Sequence, residues 1–114
     1  MQVGWKGKAR GSMKTNRRFN LWEMDDVLTP ALRQYAEQKR RVGDAILLFR
    51  MGDFYETFYD DAVLCSKTLG VALTTRSRND NPIPLAGIPY HALNSCLRKL
   101  VAAGFRVAIS GYQP

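Results

Sequence analysis

The sequence contains few of the residues on which catalysis, redox chemistry and disulfide scaffolds depend. Its 114 residues include one histidine and two cysteines. Cys65 and Cys96 lack the CxxC spacing of a redox or zinc site, and two cysteines do not make a disulfide framework. Their positions at apolar helix faces predict core packing, and reduced thiols indicate a cytoplasmic protein. His91, the one histidine, leaves little choice of base for a nucleophile and is interpreted as a helix cap.

Other signals that would define a functional class are missing as well. No apolar run approaches the roughly 18 residues of a membrane-spanning helix, and no apolar core of a secretory signal follows the basic start. Neither GxxxxGK[ST] nor GxGxxG occurs, so no known phosphate loop is present. The acidic residues Asp53, Glu56, Asp60 and Asp61 could be imagined as a magnesium cluster, but a helix start explains the Asp60–Asp61 pair. We therefore favour a binding module over a small enzyme, with no cofactor and no membrane partner.

Positive charge is what the sequence has in excess, and it is unevenly distributed. The net charge is +7, and residues 1–18 hold six bases and no acid. Because residues 1–28 are glycine-containing and show no hydrophobic period at their basic start, we interpret them as a flexible basic N-terminal extension. Residues 29–114 carry a smaller net charge of +4. A basic balance indicates a polyanionic partner, nucleic acid first, and makes Lys14, Arg17 and Arg18 candidate DNA-backbone contacts. The alternative is a solvated extension without function.

The order of elements in residues 29–114 predicts a single α/β domain. Thr29 and Pro30 form a helix start, and Gly43 ends that helix. The apolar run 45–51 suits a strand covered on both faces. Further along the chain we expect a helix from 60 to 70, a strand at 71–75, a polar turn or hairpin tip at 76–81, an extended segment at 82–89, a helix from 93 and a strand at 107–110. This alternation is typical of a small mixed β-sheet flanked by about three α-helices.

The aromatic segment from Phe54 to Tyr59 is the candidate for recognition chemistry. In a strand, Phe54 and Glu56 would project from one side and Tyr55 from the other. The aromatic ring could wedge into a base step, while the carboxylate could contact a base edge. A carboxylate is costly beside phosphates, so it would serve discrimination and not affinity. The other interpretation, which the pattern alone favours, is that Phe54 and Phe58 are core residues and Glu56 is a solvated charge.

Three longer segments, together with Thr29-Pro30, closely resemble a known family. They are LLFRMGDFYETFYDDA (47–62), PIPLAGIPYHAL (82–93) and LVAAGFRVAI (100–109). These segments resemble the N-terminal mismatch-recognition domain (domain I) of the DNA mismatch repair protein MutS family. FYE alone would be a weak signal, but the joint occurrence of RMGDFYE and AGIPYHA is highly specific. The resemblance covers residues 29 to about 110.

The resemblance implies a function that spacing could not show. Family members bind double-stranded DNA with a mismatch or small loop as dimeric clamps, in the bacterial cytoplasm and at the nucleoid. The resemblance gives Phe54 the role of stacking on the mispaired base from the minor groove and Glu56 that of hydrogen-bonding to it. Tyr55 would be structural, while Arg76 and Arg78 are either phosphate contacts or ordinary surface charges.

The same resemblance sets expectations about chemistry and partners. The family's ATPase, with its ATP and Mg, lies in a distant C-terminal domain, so we expect this chain not to be an enzyme. The remaining MutS domains or a MutS-like dimer partner are the expected protein partners. The alternative is a truncated MutS-like remnant that acts only as a non-specific basic DNA-binding fragment.

Overall fold

A computed structural model describes the backbone of residues 4–6, 30–78 and 81–113, and the side chains of residues 30–76 and 82–113. Its α-helices are α1 (Pro30–Val42), α2 (Tyr59–Leu69) and α3 (Leu93–Ala102), and a 3-10 turn (Tyr90–Ala92) precedes α3. The strands are β1 (Gly4–Lys6), β2 (Ile46–Met51), β3 (Phe54–Phe58), β4 (Leu73–Arg78), β5 (Asn81–Pro89) and β6 (Val107–Gly111).

The strands form one six-stranded sheet in the order β1-β6-β2-β3-β5-β4. β2 and β6 run parallel, whereas the other neighbouring pairs are antiparallel. The predicted mixed sheet with three helices is therefore confirmed. Both strands of the parallel pair lie inside the sheet and not at its edges, as expected for strands of high apolar content.

Helices cover both faces of this sheet. On one face, Leu47 and Phe49 of β2 pack with residues of α1, and we call this the α1 face. On the other, Ile46 and Leu48 pack with residues of α2 and α3. These four β2 side chains are fully buried, which is why β2 reads as a continuous apolar run and not as an alternating one.

Tyr35 of α1 organises the core on the α1 face. Its ring meets those of Phe49 and Phe58 edge to face, with centroids 5.9 Å and 4.8 Å away. Its hydroxyl accepts a hydrogen bond from the Phe58 amide at 3.3 Å and lies 3.4 Å from the Phe58 carbonyl. Burial raises the pKa of this phenol well above its ordinary value. Phe58 is thus a core residue, as one interpretation of the aromatic segment expected.

A buried ion pair joins α1, β2 and α2 where β3 ends. Tyr59 turns the chain out of β3 with a φ of 58°, an unusual conformation for a residue other than glycine. The carboxylate of Asp61 then accepts a hydrogen bond from the Leu47 amide at 3.0 Å and pairs with Lys39 Nζ at 2.8 Å. Burial raises the pKa of Asp61, and the charge of Lys39 opposes that rise. From the sequence, Asp61 is expected only to complement the positive end of the helix dipole. In the structure it also makes these buried contacts in the core.

Several boundaries differ from the prediction. The polar turn or hairpin tip predicted at 76–81 lies at a β4–β5 hairpin, but the strands extend further into it than predicted. Arg76, Ser77 and Arg78 continue β4 and pair with Ile83, Pro82 and Asn81. His91 is not the cap of α3, whose N-cap residue is Ala92 without a side-chain cap bond. Within the extension 1–28 only Gly4–Lys6 are described, and they add an edge strand to β6 that the sequence did not predict. The rest of that extension and Thr29 lie outside the described residues.

Candidate nucleic-acid interface

A two-residue turn, Gly52-Asp53, carries the chain from β2 into β3 and presents the candidate site. Gly52 has a φ of 62°, which glycine adopts without steric cost. Both turn residues are exposed. Phe54, the first residue of β3, therefore stands at the end of the sheet beside an open turn.

Phe54 is exposed although it lies in a central strand. It is paired with Met51 of β2 and Pro89 of β5, and 46% of its surface is exposed. Its ring lies near Gly87, where an added Cβ would stand 3.6 Å from the ring carbon Cδ1. The core interpretation of Phe54 is therefore wrong, while that of Phe58 is right. α1 covers the far end of β3 and leaves the near end open.

Glu56 shares the face of Phe54, as the alternation predicted. It lies between Phe49 on β2 and Gly87 on β5, and its side chain is about half-buried. Its Oε1 atom is buried and has no hydrogen-bond partner among the described residues. Burial raises the pKa of this carboxyl, and the positive charge of Arg76 partly offsets the rise. Glu56 is thus more than a solvated surface charge.

Tyr55 projects from the opposite face into the core. It is buried with Ile88 and Leu48 under α2 and α3. The strand is therefore anchored by Tyr55 on one face, while Phe54 and Glu56 occupy the other.

Arg76 is the one candidate basic residue whose side chain the structure describes, and it lies near this pair. Arg76 is half-buried in β4 opposite Ile83, which puts it on the α1 face with Glu56. Its Nη1 atom is buried and has no hydrogen-bond partner within the described part of the chain. The backbone of Arg78 belongs to β4, but its side chain is not described. Lys14, Arg17 and Arg18 lie outside the described residues.

Sequence reasoning missed a second group at the same end of the sheet. The guanidinium of Arg50 lies 4.6 Å from the ring centroid of Tyr90, and its Nε donates to the Gly52 carbonyl at 3.1 Å. Tyr90 in turn donates its amide hydrogen to the Asp53 carbonyl at 2.9 Å. Arg50 belongs to the motif RMGDFYE and Tyr90 to the motif AGIPYHA. The β3–β5 pairing brings these two motifs together.

Two other site classes find no support in the described ranges. Across residues 4–6, 30–78 and 81–113, no group of three or more His, Cys, Asp or Glu side chains is arranged to hold a metal ion. None of the helices described is both long enough and apolar enough to span a membrane.

Comparison with protein families supplies the decisive observation for this geometry. The model of MutS domain I matches residues 29–113, which include the Gly52-Asp53 turn, Phe54 and Glu56. The chain belongs to the MutS domain I family. The matched range begins at the predicted helix start and leaves β1 outside it.

Individual MutS proteins are similar over the same stretch. The chain is 51% identical over 86 residues to the DNA mismatch repair protein MutS of Streptococcus thermophilus (strain ATCC BAA-491 / LMD-9). It is 48% identical over 87 residues to that of Anaeromyxobacter sp. (strain K), and 50% over 86 residues to that of Streptococcus pneumoniae (strain Hungary19A-6). These matches cover 75–76% of this chain but only 10% of each relative. The chain thus spans about a tenth of the length of these MutS proteins.

Proposed function

We propose that this domain binds double-stranded DNA with a mismatched or unpaired base and contributes that recognition to mismatch repair. One observation carries the proposal. A MutS domain I chain presents an exposed phenylalanine and a half-buried carboxylate, Phe54 and Glu56, on one face at the open end of its sheet.

Phe54 acts as the wedge. An exposed ring at the start of β3 enters the minor groove and stacks on the unpaired base. Separating a mismatched base from its neighbours costs less free energy than separating a paired one. The wedge converts that difference into a preference for heteroduplex, because the same intrusion into matched DNA meets the full stacking energy.

Glu56 supplies discrimination. A carboxylate beside phosphates weakens binding to any duplex unless it makes a compensating hydrogen bond to a base. Its Oε1 atom is buried without a hydrogen-bond partner among the described residues, so turning that atom towards a displaced base would break no hydrogen bond to it. Burial raises its pKa, so the ionised form is less favoured here than in a solvated glutamate.

The basic residues supply affinity. Arg76 on the same face, Arg78, and the basic extension with Lys14, Arg17 and Arg18 are the proposed contacts to phosphates. Such contacts release counterions and make binding fall steeply with salt. They carry no sequence information, so they would give the same affinity to matched and mismatched DNA.

The proposal includes the partners of the domain. It acts with other MutS domains or a MutS-like dimer partner, which would press Phe54 into the groove, in a bacterial cytoplasm and at the nucleoid. ATP and Mg would belong to the ATPase domain of full-length relatives, and the role proposed for this chain is binding without catalysis. The competing function is that of a remnant that binds DNA through charge alone, which the net charge of +7 favours.

Binding to a G·T or one-base-loop duplex and to the matched duplex, at two salt concentrations, separates these functions. We expect Phe54→Ala to abolish heteroduplex preference and Glu56→Ala to change selectivity more than total binding. Leu73→Ala is the control for Phe54, because Leu73 has the same 46% exposure. Glu37→Ala removes an exposed acid of α1 and controls for charge. Equal binding to both duplexes by the wild type, unchanged in Phe54→Ala, would leave only the charge-driven function.

A further inference from the structure

Arg50 is a cation at the end of an otherwise apolar strand, and its side chain makes two contacts. Its guanidinium stacks 4.6 Å from the centroid of the Tyr90 ring, while Nε donates to the Gly52 carbonyl at 3.1 Å. By strand alternation the side chain projects from the face of Ile46 and Leu48. Arg50 therefore leaves β2 on the face opposite Phe54 and touches the turn instead.

Tyr90 closes the turn from the other side. It follows Pro89, the cross-strand partner of Phe54, and donates its amide hydrogen to the Asp53 carbonyl at 2.9 Å. Half of its surface is exposed, and the flat guanidinium lies over its ring. Both residues of the turn thus have their carbonyl groups bonded, one to Arg50 and one to Tyr90.

The strand that carries Arg50 is paired with a neighbouring strand on each side. The backbone of Arg50 pairs with Tyr55 on one side and Gly111 on the other, and its carbonyl accepts from the Tyr112 amide at 2.9 Å. The exposed turn that follows contains Gly52 in a left-handed conformation, and glycine has more backbone freedom than other residues. Arg50 and Tyr90 connect this turn to the fixed part of the sheet.

We infer that Arg50 and Tyr90 form a brace that holds the Gly52-Asp53 turn and so positions Phe54 over Gly87 for stacking. This inference rests on the DNA-binding function proposed above and adds positioning residues to it. Fixing a contact group before binding reduces the entropy lost on binding, so the brace raises heteroduplex affinity without touching DNA.

Four substitutions test the brace within the full chain. Arg50→Gln removes the cation and its fork, and Arg50→Lys keeps the charge but loses the planar donors. Tyr90→Leu removes the ring, whereas Tyr90→Phe keeps it and should behave like the wild type. As a control, Arg98→Gln, on the exposed side of α3, removes the same charge elsewhere. Circular dichroism verifies that each variant is folded.

The first readout is the ratio of heteroduplex to matched-duplex affinity. We expect Arg50→Gln, Arg50→Lys and Tyr90→Leu to lower this ratio about threefold to tenfold, the size of one cation–π interaction or hydrogen bond. Arg50→Gln should bind the matched duplex with the affinity of Arg98→Gln, which has lost the same charge. Arg50→Lys and Tyr90→Leu keep the wild-type charge and should bind it with wild-type affinity. In a Phe54→Ala background the same substitutions should have no further effect on the ratio. An effect that persists there, or a ratio that never changes, would overturn the brace.

A second readout needs no DNA. In the wild type, nuclear Overhauser contacts should link the Phe54 ring to the α-hydrogens of Gly87. We expect them to weaken in Arg50→Gln and Tyr90→Leu and to persist in Tyr90→Phe and Arg98→Gln. Undiminished contacts in the first two variants would refute the brace. If the wild type shows no heteroduplex preference, the proposed function fails. The nuclear Overhauser measurement then decides by itself whether the brace exists.

Discussion

Replacing Lys39 by methionine should destabilise the domain severely. Lys39 and Asp61 form an ion pair at 2.8 Å with side chains only 3% and 0% exposed. Methionine retains most of the aliphatic stem of lysine, so little packing is removed. The carboxylate of Asp61 would instead keep only the Leu47 amide as a hydrogen-bond donor, and its other oxygen already has no partner among the described residues.

The magnitude follows from this burial. Removing one partner of a buried pair costs about 3–5 kcal/mol, because an uncompensated charge is left in the interior. A domain of this size has a total stability of roughly 4–13 kcal/mol. The variant should therefore lose a quarter or more of its stability, and its melting temperature should fall by about 12 °C or more.

Urea unfolding followed by circular dichroism measures the effect. Arg41→Met is the matched control, because Arg41 lies on the same helix and forms an exposed pair with Glu37 at 3.8 Å. Losing this exposed pair should lower the free energy of unfolding by less than about 1 kcal/mol. A difference between the two variants smaller than about 1 kcal/mol would refute the argument that burial decides the cost.

The pH dependence gives an independent check. Burial raises the pKa of Asp61, and removing Lys39 removes the charge that opposes this rise. A carboxyl with a raised pKa favours the folded state below its unfolded pKa of about 3.9, and that contribution is lost as pH rises through the folded pKa. The deficit of Lys39→Met relative to wild type should therefore shrink as pH falls.

Three further predictions concern charge and chemistry. Because burial raises the pKa of Glu56, binding to the matched duplex should strengthen as pH falls from neutral towards 5. Glu56→Gln should lose the part of this pH dependence that comes from Glu56. Fluorescence anisotropy measures the binding, and an identical pH profile in Glu56→Gln would contradict the prediction. Burial raises the pKa of Cys65 to about 12, so iodoacetamide at pH 8 should label Cys96 first by mass spectrometry, and early labelling of Cys65 would count against its burial. Deleting residues 1–18 should flatten the salt dependence of DNA binding by about 0.9 for each phosphate that the extension neutralises, whereas an unchanged slope would mark the extension as inert.

Much of the local structure follows from the sequence. The apolar run 45–51 predicts a strand buried on both faces, and Gly43 and Gly70 predict the helix ends, because these patterns depend on neighbouring residues alone. Gly70 indeed ends α2 in a left-handed conformation. The alternation of Phe54, Tyr55 and Glu56 likewise requires only that the segment be a strand.

Exposure within one face cannot be read from alternation. Phe54 and Phe58 occupy equivalent positions in the period, yet Phe54 is 46% exposed and Phe58 is buried against Tyr35. The difference arises because α1 covers only one end of β3, and the placement of a helix on a sheet depends on residues far apart in the chain.

The sequence by itself determined the α/β class, most of the elements of residues 29–113 and the family, since the motifs that carry them are contiguous. The tertiary structure alone decided which side chains of different elements lie together. It brings Tyr90 to the turn after Arg50, buries Asp61 beside Lys39, and puts Arg76 on the face of Glu56. Each of these arrangements involves two elements, so it depends on how the strands and helices are placed relative to one another, and that placement depends on residues far apart in the chain.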